Sequence, residues 1–515
     1  MFAHTIASRA VPAAPATTIA ATISRACIRP STRTSTLFAM PLRAKLLSQQ
    51  PQSQRLMSTQ QAYDLFKPRD GDEPEDVLFN SLYGLRSVEL NRPQKYNALN
   101  GSMIRKIAPR MLEWAKSDMA NVIVMKGAGE KAFCAGGDVA QLAEWNQSGP
   151  EGQAKSKEYF AQEYQLDHLI ATYNKPYVAF MDGITMGGGV GLSIHAPFRI
   201  ATERTVFAMP ETNIGFFPDV GGSFFLPRMP GSVGTYLALT SSRLTGANVF
   251  YSGLATHYLH STSLPRLESR LAELRFNDEE DMETRLATIN ATIEEFVTGL
   301  PHDEPILLSG ELRRAIDRCF CHNSVDQILR SLKRESGATR QWAEETITTL
   351  HARSPTAVHV ALRQMRIGVK WSIRDTFIRE HSIASKFMAS HDFTEGVTAL
   401  LIDKRPATWK PASLTEISPE QSPKLTEDYF LMPRNEPKLE LLTEANYEDY
   451  PYAQFGVPTE AQVEKKVSLG TMSRPQIIDA FLKERSQKQG VKEVVEEILA
   501  RKTTGGSRAV AKWVY

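Results

Sequence analysis

The sequence predicts an α/β protein of repeated ββα units followed by a helical C-terminal region. A buried strand, a glycine loop and a helix follow one another twice, at 122–138 and again from 176 onward. From about residue 264 to 405 glycines become rare and long amphipathic segments take over. The 515 residues, 42% hydrophobic and 23% charged, are ample for a large core and unlike disordered or disulfide-framework chains.

The individual elements can be placed in chain order. We expect paired strands over 77–91, a loop over 92–100, a helix over 103–117, strands over 122–126 and 176–181, and a helix from about Val190. In the helical region the spacing predicts helices over 281–297 and 306–328. The chain is therefore divided into a leader at 1–57, a ββα core at 75–263, a helical region at 264–430 and an extension at 431–515.

The N-terminus has a composition of its own. Its first 63 residues contain seven Lys and Arg but no Asp or Glu, so the other 53 basic residues stand against 58 acidic ones. The body of the chain is thus mildly acidic and lacks an overall nucleic-acid footprint. A leader rich in Arg, Ser, Thr and Ala is typical of mitochondrial transit peptides, so we expect a location in the mitochondrial matrix. A tail that stays attached is the alternative, and no apolar run is long enough to span a membrane.

Two glycine loops, at 136–138 and 187–189, form the first candidate site. Each follows a strand, and the second precedes a helix, so unpaired backbone N–H groups there can bind an oxyanion. Glycine also lets a substrate carbonyl approach the backbone closely, although tight turns are the simpler alternative. Leu192 stands where a dinucleotide fingerprint needs glycine, and no Walker A sequence occurs.

Two carboxylates form the second candidate site. Glu211 and Asp219 stand eight residues apart in strongly apolar surroundings, where burial should raise their pKa values into the range useful for acid–base catalysis. Capping of a helix and a turn is the alternative. A serine-nucleophile elbow is absent, since the nearest candidate ends in His195. We expect structural roles for His195, His257 and His260, and no metal, because the cysteines lack zinc-site spacing.

Four motifs together resemble the enoyl-CoA hydratase/isomerase, or crotonase, superfamily. They are LNRPQKYNALN at 90–100, KAFCAGGD at 131–138, GITMGGGVGLSIH at 183–195 and FAMPETNIGFFPDVGGSFFLPR at 207–228. The superfamily motifs cover about 77–260. A narrower resemblance to the 3-hydroxyisobutyryl-CoA hydrolase family continues to about residue 430 and includes DKRPATWKP at 403–411. The resemblance implies a crotonase-like spiral of ββα units.

The resemblance also implies roles for particular residues. The N–H groups of Gly137 and Gly188 match the oxyanion hole that binds the thioester oxygen. Gly191 stands where hydratases carry their first catalytic glutamate, and Glu211 matches the second, so ordinary hydration lacks half of its acid–base pair. Asp219 matches a catalytic aspartate of the hydrolase branch.

Glu163 matches a substrate-binding glutamate of that branch. The resemblance implies that Gly188, Glu211 and Asp219 also bind the substrate. Judged without the family, Glu163 would be placed on a solvated face of a helix at 156–172. The implied reaction is hydrolysis of 3-hydroxyisobutyryl-CoA to 3-hydroxyisobutyrate and CoA in valine breakdown, without a cofactor. Whether Glu211 attacks the carbonyl or activates water is left open, and Asp219 would orient the substrate or assist proton transfer.

The extension at 431–515 exceeds what such catalysis needs. It contains apolar helical faces at 477–482 and 491–499 and an acid-free basic end at 501–515. Fungal members of the resembled family also serve in the small subunit of the mitochondrial ribosome, which implies a second, structural role. We expect this extension to contact ribosomal proteins and rRNA; folding back on the core is the competing explanation. A purely structural ribosomal protein and a hydratase or isomerase are the alternative functions.

Overall fold

The computed structural model describes residues 63–277, 279–432, 437–505 and 509–514. The predicted leader at 1–57 lies outside them. The strands are β1 Val77–Leu82, β2 Leu85–Leu90, β3 Val122–Gly127, β4 Ala132–Cys134, β5 Tyr177–Met181, β6 Ile184–Met186, β7 Phe198–Ala201, β8 Val206–Ala208, β9 Leu244–Thr245, β10 His257–Tyr258, β11 Thr503–Thr504 and β12 Lys512–Trp513.

The α-helices alternate with the strands in the first half and dominate the second. They are α1 Gly101–Lys116, α2 Val139–Gln147, α3 Pro150–Ala171, α4 Gly188–Ile194, α5 Gly222–Phe225, α6 Val233–Thr240, α7 Ala247–Tyr251, α8 Leu264–Ala272, α9 Met282–Glu294, α10 Gly310–Phe320, α11 Val325–Leu332, α12 Arg340–Ala352, α13 Pro355–Ile367, α14 Ile373–Met388, α15 His391–Val397, α16 Gln421–Phe430, α17 Glu460–Val467, α18 Arg474–Glu484 and α19 Val491–Lys502.

Two sheets form the centre of the ββα core. The larger has the order β1-β2-β3-β5-β7-β10 and is parallel apart from the β1–β2 pair. The smaller has the order β4-β6-β8-β9, with β4, β6 and β8 parallel. Because β3, β5 and β7 in the larger sheet are each followed by a strand of the smaller one and then by helix, the predicted repeat of ββα units is confirmed.

Hydrophobic cores cover both faces of the larger sheet. Along β3, Val122 and Val124 point into a core closed by α8 and α9, whereas Ile123 and Met125 point into the main core. This alternation follows from the two-residue period of a strand. The run of apolar residues is continuous because parallel strands are buried on both faces.

The helical region differs from the expectation at one point. The prediction of a single helix over 306–328 is wrong, because two helices cover this segment: α10 ends at Phe320 and α11 begins at Val325. Ser324 caps the second helix, its hydroxyl accepting the Gln327 N–H at 3.2 Å. The helix expected over 281–297 agrees with α9, which Asp281 caps through the Thr284 N–H.

The extension folds back on the rest of the chain. Ile477 and Phe481 of α18, and Val495 and Leu499 of α19, are all at most 3% exposed and belong to the main hydrophobic core. The expectation that these apolar faces await a partner is therefore wrong. They are covered by this chain itself, so the alternative, that the extension folds back on the core, is confirmed for these two helices.

The basic end of the extension is also engaged internally. Arg501 is buried and contacts Glu497 at 3.0 Å and Glu460 at 2.8 Å, while Lys502 contacts Glu460 at 3.2 Å. Arg313 of α10 binds the same Glu460 at 3.1 Å. Arg501 and Lys502 are thus paired within the extension, and the Arg313–Glu460 ion pair joins the extension to the helical region. The expected contact of the extension with rRNA stays a prediction.

Candidate active site

The two glycine loops meet where β4 and β6 end. A Cβ built on Gly188 would lie only 3.3 Å from the Gly137 nitrogen, so the two backbones are in contact. Leu99 pairs with this segment, donating its N–H to Gly136 at 2.8 Å and accepting the Asp138 N–H at 2.8 Å. This pattern directs the intervening Gly137 N–H away from Leu99.

Both N–H groups are available to a ligand. Within the part of the chain that the structure describes, neither the Gly137 nor the Gly188 N–H donates to a protein acceptor. Gly188 is the first residue of α4, whose N-terminal N–H groups have no partner within the helix. Two adjacent, unpaired N–H groups are the arrangement that stabilises the oxyanion of a thioester under attack.

Glu163 extends from α3 toward these glycines. Its Oε1 lies 2.5 Å from the Cβ position of Gly188, so any side chain at residue 188 would collide with it. The carboxyl is only 2% exposed, and the expectation of a solvated helix face is wrong, because α3 runs through the core. Burial, and then the negative charge of Asp219, raise the pKa of Glu163 well above its usual value.

Glu211 approaches the glycines from the opposite loop, directly after β8. Its Oε1 lies 3.1 Å from the Cβ position of Gly187, and the residue is 4% exposed. Its other oxygen, Oε2, has no hydrogen-bond partner among the described residues. Burial, and next the charge of Asp219, raise the pKa of Glu211 well above the ordinary glutamate value. A buried carboxyl with a free oxygen fits a general base or nucleophile.

Asp219 lies in the turn that precedes α5. Its Oδ2 accepts a hydrogen bond from the Tyr164 hydroxyl at 2.6 Å, and the residue is 4% exposed. Burial raises the pKa of Asp219 to about 7, although the Tyr164 hydrogen bond acts in the opposite direction. This carboxyl therefore changes its protonation near neutral pH.

The structure brings the sequence-predicted residues together. Gly137, Gly188, Glu163 and Glu211 meet at the two glycine loops, and Asp219 lies near enough to raise the pKa values of both glutamates. Their individual roles in binding and catalysis stay predictions, as does the absence of a cofactor. The geometry supplies an oxyanion site surrounded by three buried acids.

Two further buried acids were missed by the sequence analysis. Asp167, one turn after Glu163 on α3, is fully buried, and neither of its oxygens has a hydrogen-bond partner among the described residues. Its Oδ2 lies 2.6 Å from the Cβ position of Gly191, so a larger residue there has no room. Its position i+4 from Glu163 was a usable signal. Glu380, from α14, gave none, because only the tertiary fold brings it to Gly221.

The histidines and the core cysteine have structural surroundings. His195 is buried, its Nε2 lies 3.2 Å from the Val220 oxygen, and burial lowers its pKa to about 4. His257 is buried against Glu294 at 3.1 Å, whereas exposed His260 contacts Thr262. Burial raises the pKa of Cys134 to about 12, which disfavours a reactive thiolate.

Groups of acids, histidines and cysteines suited to a metal ion are absent from the described residues. In the same part of the chain, no helix combines the length and the apolar character needed to cross a membrane.

Comparison with known proteins places this site in a family. A model of the family described as enoyl-CoA hydratase/isomerase matches residues 85–426. A solved carnitinyl-CoA dehydratase from Mycobacterium thermoresistibile is 33% identical, with a TM-score of 0.61, over 71% of this chain and 98% of that one. An enoyl-CoA hydratase structure from Rhodobacter sphaeroides is 30% identical, with a TM-score of 0.57, over 68% of this chain and 97% of that one.

Curated relatives include proteins with two different names. The small ribosomal subunit protein mS47 of Neurospora crassa is 62% identical over 93% of this chain and 94% of its own length. The mitochondrial 3-hydroxyisobutyryl-CoA hydrolase of Gallus gallus is 43% identical over 68% of this chain and 88% of its own. Because the family match spans well over half of the chain and the fold and glycine loops agree with it, this protein belongs to the enoyl-CoA hydratase/isomerase family.

Proposed function

We propose that this protein hydrolyses 3-hydroxyisobutyryl-CoA to 3-hydroxyisobutyrate and CoA. The observation that carries the proposal is the convergence of the unpaired Gly137 and Gly188 N–H groups with three buried carboxyls, Glu163, Glu211 and Asp219. The 43% identity to vertebrate enzymes of that name supports the choice of substrate. Hydration of an enoyl-CoA is disfavoured because Asp167 occupies the space that a glutamate at Gly191 would need.

The reaction follows from the positions of these groups. The thioester oxygen accepts the two N–H groups, which stabilise the charge that develops on it. Glu211 either takes a proton from water as the water oxygen attacks the carbonyl carbon, or attacks that carbon itself and is later released by water. The carbon–sulfur bond then breaks, and the leaving thiolate takes up a proton supplied by the buried acids. Asp219, held by Tyr164, orients the substrate or assists this transfer.

A polar cavity next to the site can receive the CoA part of the substrate. It has a volume of about 650 Å³, and its lining mixes cations with acids: Lys95 and Arg105 lie there beside Asp72, Glu73 and Asp138, which directly follows Gly137. Lys95 is largely exposed there. Arg105 is bound by Asp72, whereas Lys95 lies 3.6 Å from Asp138 and is the cation best placed to turn toward a phosphate of a CoA ester.

The enzymatic proposal has a direct test. Purified protein with 3-hydroxyisobutyryl-CoA should release a thiol detectable with a chromogenic disulfide, and crotonyl-CoA should be hydrated far more slowly. Correctly folded protein that releases no thiol would refute the proposal. Hydration of crotonyl-CoA at the faster rate would favour a hydratase instead.

A second role in the small subunit of the mitochondrial ribosome is also proposed. Its support is the 62% identity to the Neurospora crassa protein mS47 across 93% of this chain, which takes in the extension. The extension also carries exposed apolar side chains, among them Leu431 at 56% and Leu469 at 64% exposure. Since its inner faces are buried, a ribosomal partner would contact this outer surface.

Sedimentation distinguishes the two roles. The native protein should co-sediment with mitochondrial small subunits at moderate salt, and Leu469→Asp should weaken that association while leaving thiol release unchanged. Met119→Asp, an equally exposed position on the ββα core, serves as the matched control. Absence of the native protein from the small-subunit fraction would refute the ribosomal role.

Import into mitochondria would remove the leader, so the mature protein should begin near Ser58. N-terminal sequencing of the mature protein measures this directly, and a sequence that still begins at Met1 would contradict the prediction.

A further inference from the structure

The turn that carries Asp219 has a backbone conformation that needs support. Val220 adopts φ +51°, in the left-handed region that a β-branched residue rarely enters, and Gly221 follows at φ +87°. This conformation is unfavourable for a β-branched residue, because its side chain crowds the neighbouring backbone. Neighbouring groups must therefore hold this turn, since it would otherwise relax and move the Asp219 carboxyl.

The structure shows the groups that hold it. Both oxygens of the Glu380 carboxyl accept backbone N–H groups of the turn, one from Gly221 at 2.8 Å and one from Ser223 at 2.8 Å. The Nε2 atom of His195, the residue directly after α4, lies 3.2 Å from the Val220 oxygen. Glu380 is fully buried in α14. A member of the helical region thus binds the backbone of a loop in the ββα core.

We propose that Glu380 is a positioning residue, whose carboxyl holds the turn at 219–223 so that Asp219 faces the thioester. The proposal deepens the hydrolase function and rests on it. Burying a carboxyl is unfavourable unless its oxygens are hydrogen-bonded, and here the two N–H groups of the turn supply both bonds. An apolar residue would fill the same space without that burden but would leave the N–H groups unpaired and the strained turn unsupported.

The proposal gives the helical region a role in catalysis. Helix α14 packs along α3, the helix that carries Glu163 and Tyr164. Tyr164 donates to Asp219 while Glu380 holds the backbone that follows Asp219, so the two helices fix this carboxyl from both ends. A core at 75–263 alone would lack one of these supports.

The test compares Glu380→Gln with a matched control. Glutamine keeps the size of the side chain, but its NH₂ group cannot accept a hydrogen bond, so one of the two backbone N–H groups loses its acceptor. We expect kcat for 3-hydroxyisobutyryl-CoA to fall about 10- to 100-fold with KM changed less than about threefold, because a small displacement of a catalytic group has effects of this size. Hydrogen exchange of the amides at 219–223 should become at least about tenfold faster.

Asp317→Asn is the control. Asp317, also in the helical region, accepts the backbone N–H of Ser232 at 2.9 Å, away from the site. It should lower stability comparably while leaving kcat of the folded protein unchanged. Should Glu380→Gln fail to fold, Glu380→Asp carries the same test, because its shorter side chain keeps the carboxyl group but cannot reach both N–H groups.

The outcomes separate this proposal from the hydrolase function. Glu380→Gln with wild-type kcat, or with unchanged exchange at 219–223, overturns the positioning role. A kcat loss of equal size in Asp317→Asn also overturns it, since general destabilisation would then explain both. Wild-type protein that releases no thiol refutes the proposed function, while exchange at 219–223 in Glu380→Gln still decides whether Glu380 holds the turn.

Discussion

Because the extension is buried against the core, the same leucine-to-alanine substitution should lower the unfolding free energy at one of its positions and leave it unchanged at another. Leu499, on α19, is 1% exposed in the main core, whereas Leu469, in the loop between α17 and α18, is 64% exposed. Truncating a fully buried leucine to alanine removes its transfer free energy and leaves a cavity, together about 3–5 kcal/mol. Truncating an exposed leucine changes the unfolding free energy by no more than about 0.5 kcal/mol.

The assay is a urea titration followed both by far-ultraviolet circular dichroism and by loss of thiol release. For Leu499→Ala we expect both signals to shift together to lower urea, because the extension and the catalytic core share one hydrophobic core. Leu469→Ala should match the wild type. If Leu499→Ala instead shifted an early transition while activity kept its urea midpoint, the extension would unfold on its own and the reasoning would be wrong.

Three further predictions concern the acids. Glu211→Gln and Asp219→Asn should each lower kcat at least about a hundredfold with the circular dichroism spectrum retained, whereas unchanged turnover would show that both are structural. Because burial raises the pKa of Asp219 to about 7 and that of Glu380 to about 8, the folded state binds these protons more tightly than the unfolded state. The unfolding free energy should therefore fall from about pH 4, where the unfolded carboxyls ionise, to about pH 8 and then level off. The urea midpoint should be lower at pH 8.5 than at pH 6, and this difference should be smaller in Asp219→Asn. Glu460→Gln should destabilise by about 2 kcal/mol, measured by urea titration, because Arg501 keeps Glu497 and Arg313 keeps Asp317 but each loses a hydrogen bond to a charged partner.

The sequence predicted the parts of the site that depend on local pattern. Strand ends followed by glycines predicted the oxyanion loops, and carboxylates in apolar surroundings predicted buried Glu211 and Asp219. The burial of Glu163 was predicted only through the family, because its carboxyl is covered by the backbone of Gly188 on α4, a contact that only the tertiary fold makes. Glu380 could not be found for the same reason, since its partner Gly221 is 159 positions away.

The second half of the chain shows the limit of periodicity. An apolar stripe continues across the break between α10 and α11, so spacing alone joined them, and only the cap at Ser324 separates them. The apolar faces of the extension were recognised correctly, but a stripe does not tell which surface covers it. That surface is supplied by the main core, and the Arg313–Glu460 ion pair joins the extension to the helical region.

The buried acids explain why the site can both give and take a proton. The Tyr164 hydroxyl donates a hydrogen bond to Asp219, which lowers the pKa of Asp219 and so opposes the effect of burial. The negative charge of Asp219 raises the pKa values of Glu163 and Glu211. Acids coupled in this way do not all ionise together near neutral pH, so protonated and ionised carboxyls coexist beside the oxyanion hole. Thioester hydrolysis needs both, because a proton leaves the attacking water and another reaches the departing sulfur. The acid and base functions therefore belong to the group of carboxyls, and Gly191, by leaving room for Asp167, is part of that arrangement.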